Sequence, residues 1–186
     1  MKYKLREPFT KEKIRSLRSG DQVLITGTVY TARDAAHKRI LEMLERGEEP
    51  PFEIENSIIY YVGPTPAKPG QVIGSAGPTT SYRMDAYAPA LLDRGQLMMI
   101  GKGQRSREVA DATCRNGAVY AAAIGGAAAV MARCVKSAEV IAFPDLGAEA
   151  VRRLYVEDLP VTIVLDTEGG NLYVEGREEY LRSREK

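Results

Sequence analysis

Apolar runs and amphipathic stretches take turns along the chain, and their periods predict strands and helices in alternation. Val23-Leu-Ile-Thr-Gly-Thr-Val-Tyr30 reads as a strand. Thr31 to about Arg46 follows as a helix, with Ala36, Ile40 and Leu44 on one face, ended by Gly47 and the Pro50-Pro51 pair. Ser57-Ile-Ile-Tyr-Tyr-Val62 reads as a second, buried strand, followed by a loop rich in Gly and Pro from Gly63 to Gly70. Val72-Ile73 predicts a short strand into Gly74-Ser-Ala-Gly-Pro78, and Thr80 to about Arg94 a helix. Leu97-Met-Met-Ile100 is a strand, then comes Gly101-Lys-Gly103, then a helix over Arg107–Arg115 closed by Asn116-Gly117. Further on, Ala118–Ala123 predicts a strand, Ala127–Cys134 a helix, Glu139–Phe143 a strand and Gly147–Tyr155 a helix. Val161–Leu165 and Leu172–Val174 predict a hairpin around Glu168-Gly-Gly-Asn171. The charged tail over 176–186 is expected to fray. This alternation argues for a single α/β layered domain over 1–186.

Composition narrows the function classes. With 186 residues, 44% apolar and 27% charged, the chain suits one globular domain, and a net charge of +1 gives no electrostatic reason to expect nucleic acid or a membrane surface. The longest apolar stretch, Ala118 to Ala132, is mostly alanine and is broken by Gly125 and Gly126, so no transmembrane helix is expected. The first residues, Met-Lys-Tyr-Lys-Leu-Arg-Glu, lack the apolar core of a signal peptide, and a cytoplasmic location is expected. Cys114, Cys134 and the single histidine, His37, are too few and too scattered for a zinc site or an iron–sulfur cluster. No metal ligand is expected in this chain, so metal chemistry would have to be borrowed from another.

Candidate chemistry concentrates in three loops, each after a strand, where layered α/β domains bind ligands. They are Thr31-Ala-Arg-Asp-Ala-Ala-His37, Gly77-Pro-Thr-Thr-Ser-Tyr-Arg-Met-Asp85 and Gly101-Lys-Gly103. Thr31 and Asp34 fit a capping box. Arg33 does not fit it. A cation in the first turn opposes the helix dipole by about 0.3–1 kcal/mol unless an anion sits there, bound by guanidinium and helix N-terminus together. The second loop repeats the device, with Thr79 or Thr80 as cap and Arg83 in the first turn, and two such arginines suggest a ligand with two anionic groups. Lys102, flanked by glycines, has a backbone free to approach a ligand closely. His37, four residues after Arg33, either touches the ligand, positions Arg33, or is a partly exposed helix histidine. Neither Ser75 nor Ser81 has a His–Asp arrangement to activate it.

At these loops the sequence resembles the C-terminal region of class I fumarate hydratases. The likeness runs through Gly27-Thr-Val-Tyr-Thr-Ala-Arg-Asp-Ala-Ala-His-Lys-Arg39, Tyr60-Tyr-Val-Gly-Pro-Thr-Pro66, Gly74-Ser-Ala-Gly-Pro-Thr-Thr-Ser-Tyr-Arg-Met-Asp85, Lys102-Gly103, Gly117-Ala-Val-Tyr120 and Gly125-Gly-Ala-Ala128. The resemblance implies a β subunit with the swivelling β/β/α fold, three layers around a parallel central sheet. It implies a [4Fe–4S] cluster held by three cysteines of a partner α subunit, an α2β2 assembly, and fumarate or L-malate as substrate. It assigns Arg33 and Arg83 to the substrate carboxylates, Thr79 to the reacting carbon and Lys102 to the pocket, so Thr79 and Lys102 are the expected catalytic residues. Thr80, His37 and Asp34, in the same loops, are expected to bind substrate beside the two arginines. The β subunit of L(+)-tartrate dehydratase, a relative with the same fold, is the nearest alternative. A non-catalytic dicarboxylate-binding module is the alternative from another class, and a structural scaffold a third, under which Arg33 and Arg83 tolerate change.

Overall fold

The computed structural model of the chain describes residues 1–123 and 128–184. Its strands are β1 (Lys2–Arg6), β2 (Gln22–Thr31), β3 (Ile58–Tyr60), β4 (Met98–Gly101), β5 (Val119–Ala123), β6 (Val135–Ala142) and β7 (Val151–Leu165). Its helices are α1 (Lys11–Arg15), α2 (Asp34–Glu45), α3 (Ala88–Leu92), α4 (Arg107–Asn116), α5 (Ala128–Cys134) and α6 (Leu172–Arg184), with short 3-10 turns at Ser81–Met84 and Pro144–Glu149.

Strands β1 to β5 pair in parallel, each with the next. The sheet does not stay open, however. β7 pairs antiparallel with both β5 and β2, so β2, β3, β4, β5 and β7 close into a five-stranded barrel of mixed orientation. β1 and β6 remain outside the ring, on β2 and β7. The expected parallel central sheet is thus a parallel arc sealed by one long antiparallel strand. Closure satisfies the backbone groups that an open sheet leaves at its edges.

The barrel explains why β3 and β4 read as continuous apolar runs, since both faces of each strand are covered. Alternate residues Val23, Ile25 and Val29, Ile58 and Tyr60, Met98 and Ile100, Val119 and Ala121, with Leu154 and Val156, share one buried cluster inside the ring. Their neighbours Ile59, Tyr61, Met99 and Tyr120 form a second with Ala36 and Ile40 of α2, Leu91 of α3 and Val109 and Ala112 of α4. α4 begins on a Ser106 side-chain cap and ends, as Asn116-Gly117 predicts, on Gly117 at φ 64°.

Four elements differ from their sequence patterns. The helix expected from Thr80 to Arg94 is a four-residue 3-10 turn and then α3. Pro89 lacks an N–H and its ring crowds the carbonyl four residues back, so no helix continues through Asp85. Val72-Ile73 forms no strand, and Val72 is exposed. The helix expected over Gly147–Tyr155 is instead the end of the 3-10 turn, up to Glu149, and then the start of β7, which runs on through the first hairpin strand. The second hairpin strand is the start of α6, which takes in most of the charged tail. One bridge, Leu165 to Asn171, survives of the hairpin. Asn171 then accepts the Tyr173 N–H while Glu175 accepts the Asn171 N–H, a reciprocal cap that starts a helix. The Gly125-Gly126 pair lies outside the described residues.

Candidate functional site

Because β2, β3 and β4 are parallel, their last residues, Thr31, Tyr60 and Gly101, lie at one end of the barrel. β7 runs the other way and begins there, with Arg152 opposite Thr31. The three loops singled out above, and the turn before β7, therefore meet at one mouth.

The entry to α2 shows how. Thr31 does not cap the helix, because it is still in β2. Its hydroxyl donates to the Ala150 carbonyl (3.4 Å) and accepts the Arg152 N–H (3.0 Å). Arg33 takes the cap position with no side-chain cap bond. The free N–H of Ala35 donates to Glu149 Oε2 (3.4 Å), and Arg33 Nη2 lies 2.9 Å from Glu149 Oε1. A carboxylate thus sits where Arg33 and the helix N-terminus together favour one, and it is the protein's own. Gly63 makes room for the arginine, since a Cβ there would lie 3.0 Å from Arg33 Nη1 and 3.1 Å from its Cδ.

Asp34 links the two arginines. Its Oδ2 accepts Arg83 Nη2 at 2.9 Å, and its Oδ1 lies 3.7 Å from Arg33 Nη2. Arg33 and Arg83 therefore face one another across the width of a carboxylate. Arg33 Nε and Asp34 Oδ1 are buried without a hydrogen-bond partner.

The second and third loops are stitched together. Thr79 N–H donates to the Tyr61 carbonyl (2.7 Å), Ser81 N–H donates to the Lys102 carbonyl (2.9 Å), and Thr80 bridges Lys102 in parallel. Thr79 and Thr80 therefore run beside Lys102. The Lys102 side chain is exposed and makes no ion pair among the described residues. Gly101 permits this contact, since a Cβ there would come within 1.9 Å of Ser81 Oγ. Ser81 is buried and fully engaged. The Lys102 N–H donates to its Oγ (3.0 Å), and Tyr120 Oη lies 2.9 Å from both Ser81 Oγ and the Gly103 carbonyl. Since a carbonyl only accepts, Tyr120 donates to Gly103 and Ser81 donates to Tyr120. The serine has a structural task and no activating base.

His37 lies behind the mouth, fully buried. The Arg33 carbonyl accepts both its N–H and its Nδ1, each at 2.8 Å. Nδ1 therefore carries the proton, and Nε2 is left buried without a partner. Burial, helped by the nearby Arg105 charge, pushes the imidazole down to about 4. The neutral ring fixes the backbone of Arg33 from behind.

Two features escaped the sequence pattern. Glu149 falls inside a stretch that reads as helix, and nothing marks it as the partner of Arg33. Arg105 sits between a glycine turn and a cap, yet its side chain is only 1% exposed and its Nε lies 2.6 Å from Asp85 Oδ1. The one available signal was a pair of tyrosines, Tyr61 and Tyr120, in the apolar runs that flank β4 on either side.

Two grooves of about 520 and 480 Å³ border the Pro64–Ser75 loop, and neither is lined by Arg33, Thr79, Arg83 or Lys102. The mouth itself is an open shelf, with Arg83 and Lys102 exposed and Arg33 and Thr79 half-buried. Cys114 Sγ meets the Asp166 carbonyl (3.7 Å) and Cys134 Sγ that of Val130 (3.5 Å), and burial pushes both thiols up. Among the described residues no group of three or more His, Cys, Asp or Glu is placed to hold a metal ion. No described helix is long and apolar enough to cross a membrane.

These features define a mixed α/β barrel domain with paired arginines at its mouth. Residues 1–176 match the family described as Fumarase C-terminus, and the chain belongs to that family. It is 40% identical over 177 residues to Fumarate hydratase 2 of Leishmania major, covering 93% of this chain and 31% of that protein. It is 41% identical over 151 residues to the anaerobic class I fumarate hydratase of Escherichia coli, covering 80% and 28%. It is 39% identical over 172 residues to the putative L(+)-tartrate dehydratase subunit β of Methanocaldococcus jannaschii, covering 89% and 88%. The chain thus spans about three tenths of the length of the fumarate hydratases it matches.

Proposed function

We propose that the chain is the β subunit of a heteromeric iron–sulfur hydro-lyase that interconverts fumarate and L-malate, and that it supplies the carboxylate-binding side of a shared site. The observation that carries this reading is the pairing of two guanidiniums across Asp34, with a second carboxylate, Glu149, on Arg33. The mouth already holds two carboxylates of the protein's own, Asp34 against Arg83 and Glu149 against Arg33. The open shelf supports completion by a second chain, and the relative named subunit β supports a two-chain enzyme.

In this reading Arg33 and Arg83 each take one substrate carboxylate. Removing the weakly acidic proton beside a carboxylate builds charge on that group, where fixed cations stabilise it best. Thr79, with Thr80 beside it, is assigned to the reacting carbon, and the exposed ammonium of Lys102 to the same end of the substrate. Asp34 and Glu149 hold the arginines until substrate arrives. The pair between Arg83 and Asp34 is partly exposed, and such pairs are worth about 0–1 kcal/mol, so exchange for a ligand carboxylate is easy. A [4Fe–4S] cluster, which would be held by the α subunit, would supply Lewis acidity toward the leaving hydroxyl. Cys114 and Cys134 do not fit the role of its ligands, being engaged away from the mouth. An α2β2 assembly in the cytoplasm belongs to the same proposal.

The test is reconstitution. The chain alone is expected to be colourless and inactive, and malate dehydration is expected only with a cluster-bearing α subunit. Turnover by the isolated chain overturns the subunit assignment. Tight malate binding without a partner favours a binding module, and turnover of tartrate in preference to malate makes the complex a tartrate dehydratase.

A further inference from the structure

Beneath the mouth lies a buried cation that the reading above does not use. The Arg105 guanidinium is enclosed by four segments of chain. Nε donates to Asp85 Oδ1 (2.6 Å), Nη1 lies 3.2 Å from Met99 Sδ, and Nη2 lies 3.5 Å from Tyr61 Oη. The guanidinium also stands over the rings of Tyr61 and Tyr120, at 5.3 and 4.8 Å. Asp85 Oδ2 accepts the Ser106 N–H at 2.6 Å, which ties the start of α4 to the same carboxylate.

A buried charge is costly to desolvate, and an apolar residue would fill the space with less penalty. What the charge achieves is geometric. Three of the four partners, Tyr61, Asp85 and Tyr120, lead directly to residues of the mouth. The Tyr61 carbonyl holds the N–H of Thr79, and Asp85 ends the segment that carries Arg83. Tyr120 links Ser81 to the Gly103 carbonyl, and Ser81 holds the Lys102 N–H.

We propose that Arg105, acting with Asp85 and Tyr120, is a positioning residue that fixes the Thr79–Arg83 segment against Lys102. The inference rests on the proposed role of those groups for its effect on rate. Its structural content stands apart from that role. A displacement on the order of 1 Å at a reacting group is enough for a loss of about a hundredfold in rate.

Two variants test it in the complex with the cluster-bearing α subunit, Tyr120→Phe and Arg105→Lys. Tyr120→Phe keeps the ring and removes the hydroxyl, and Arg105→Lys keeps the charge and removes the fork. Each is expected to lower kcat about tenfold or more while KM changes less than about threefold, because Arg33 lies outside the loosened segment and the charge of Arg83 is kept. In the same full-length variants the Lys102 and Ser81 amides are expected to exchange with solvent at least tenfold faster, read by hydrogen exchange, with the barrel amides unchanged. Unchanged exchange and unchanged kcat in folded Tyr120→Phe overturn the proposal. So does a uniform rise in exchange over the whole barrel, which marks a purely structural role. Faster exchange confined to the two loops in a complex that turns over no dicarboxylate sustains the positioning device and overturns the assigned reaction instead.

Discussion

Two arginine–aspartate pairs, Arg83–Asp34 and Arg105–Asp85, arise from residues two apart in the Arg83-Met-Asp85 segment, and they do opposite work. Arg83 meets Asp34 at 2.9 Å with side chains 44% and 29% exposed. Arg105 meets Asp85 at 2.6 Å with side chains 1% and 14% exposed. The chemistry is the same and the solvent is not. Water competes for the first pair and screens it, so Asp34 is free to be displaced from Arg83 by an arriving carboxylate. The second pair has no competing solvent, and losing one partner strands the other in a medium that cannot solvate it. A wet pair suits exchange and a dry pair suits geometry, and this chain sets one directly behind the other.

The comparison breaks most readily on stability. Asp85→Ala is expected to cost about 3–5 kcal/mol in denaturant unfolding, because it strands the Arg105 guanidinium. Asp34→Ala is expected to cost about 1 kcal/mol or less. Equal costs would mean that both pairs are structural. Activity sharpens the contrast. Arg83→Ala and Arg33→Ala in the assembled complex are expected to lower kcat/KM by about 30-fold to several thousand-fold, or roughly 2–5 kcal/mol, with folding intact. Arg83→Lys is expected to stay impaired for want of the bidentate fork. Near-normal kinetics in both alanine variants would place the substrate elsewhere.

His37 gives the third prediction. Its folded pKa, about 4, lies below the ordinary histidine value of 6.5, so the unfolded chain binds the proton more readily. The resulting stability is fully present above about pH 6.5 and is lost as pH falls toward 4, on the order of 3 kcal/mol across that window. His37→Gln is expected to remove this part of the slope in unfolding free energy against pH. A wild-type and variant difference that is flat from pH 7 to 4 would show that the ring accepts a proton where it lies.

How far the sequence carried the structure depended on whether the signal was local. The cores of β3, β4 and β5 were legible because a strand buried on both faces reads as an apolar run, β2 by its apolar residues although only alternate ones are buried, and α4 because Asn116-Gly117 marks its end. Arg33, Asp34, Thr79, Thr80, Arg83 and Lys102 were legible as loops after strands, and the barrel does bring those loops to one mouth. β7 was not legible. Arg152, Arg153, Glu157, Asp158 and Pro160 interrupt its apolar pattern, and Asp158 at φ 49° bends it, beside a register shift against β2. A strand that pairs with three others satisfies a pattern dictated by those partners, which no window of its own sequence contains. Arg105 was hidden for the same reason, since nothing local separates an interior arginine from a solvated one.

The closing strand also sets the order in which this protein takes shape. β2 finds its antiparallel neighbour only when Gln22 meets Thr162, and β5 finds the same strand when Ala123 meets Val161. During synthesis the parallel arc is complete long before β7 emerges, and until then two hydrogen-bonding rims stay unpaired. Such long-range pairing slows folding and leaves the nascent arc open to other strands. The last third of the chain is thus the clasp of the barrel, and the mouth with its arginines acquires a fixed shape only as that clasp closes.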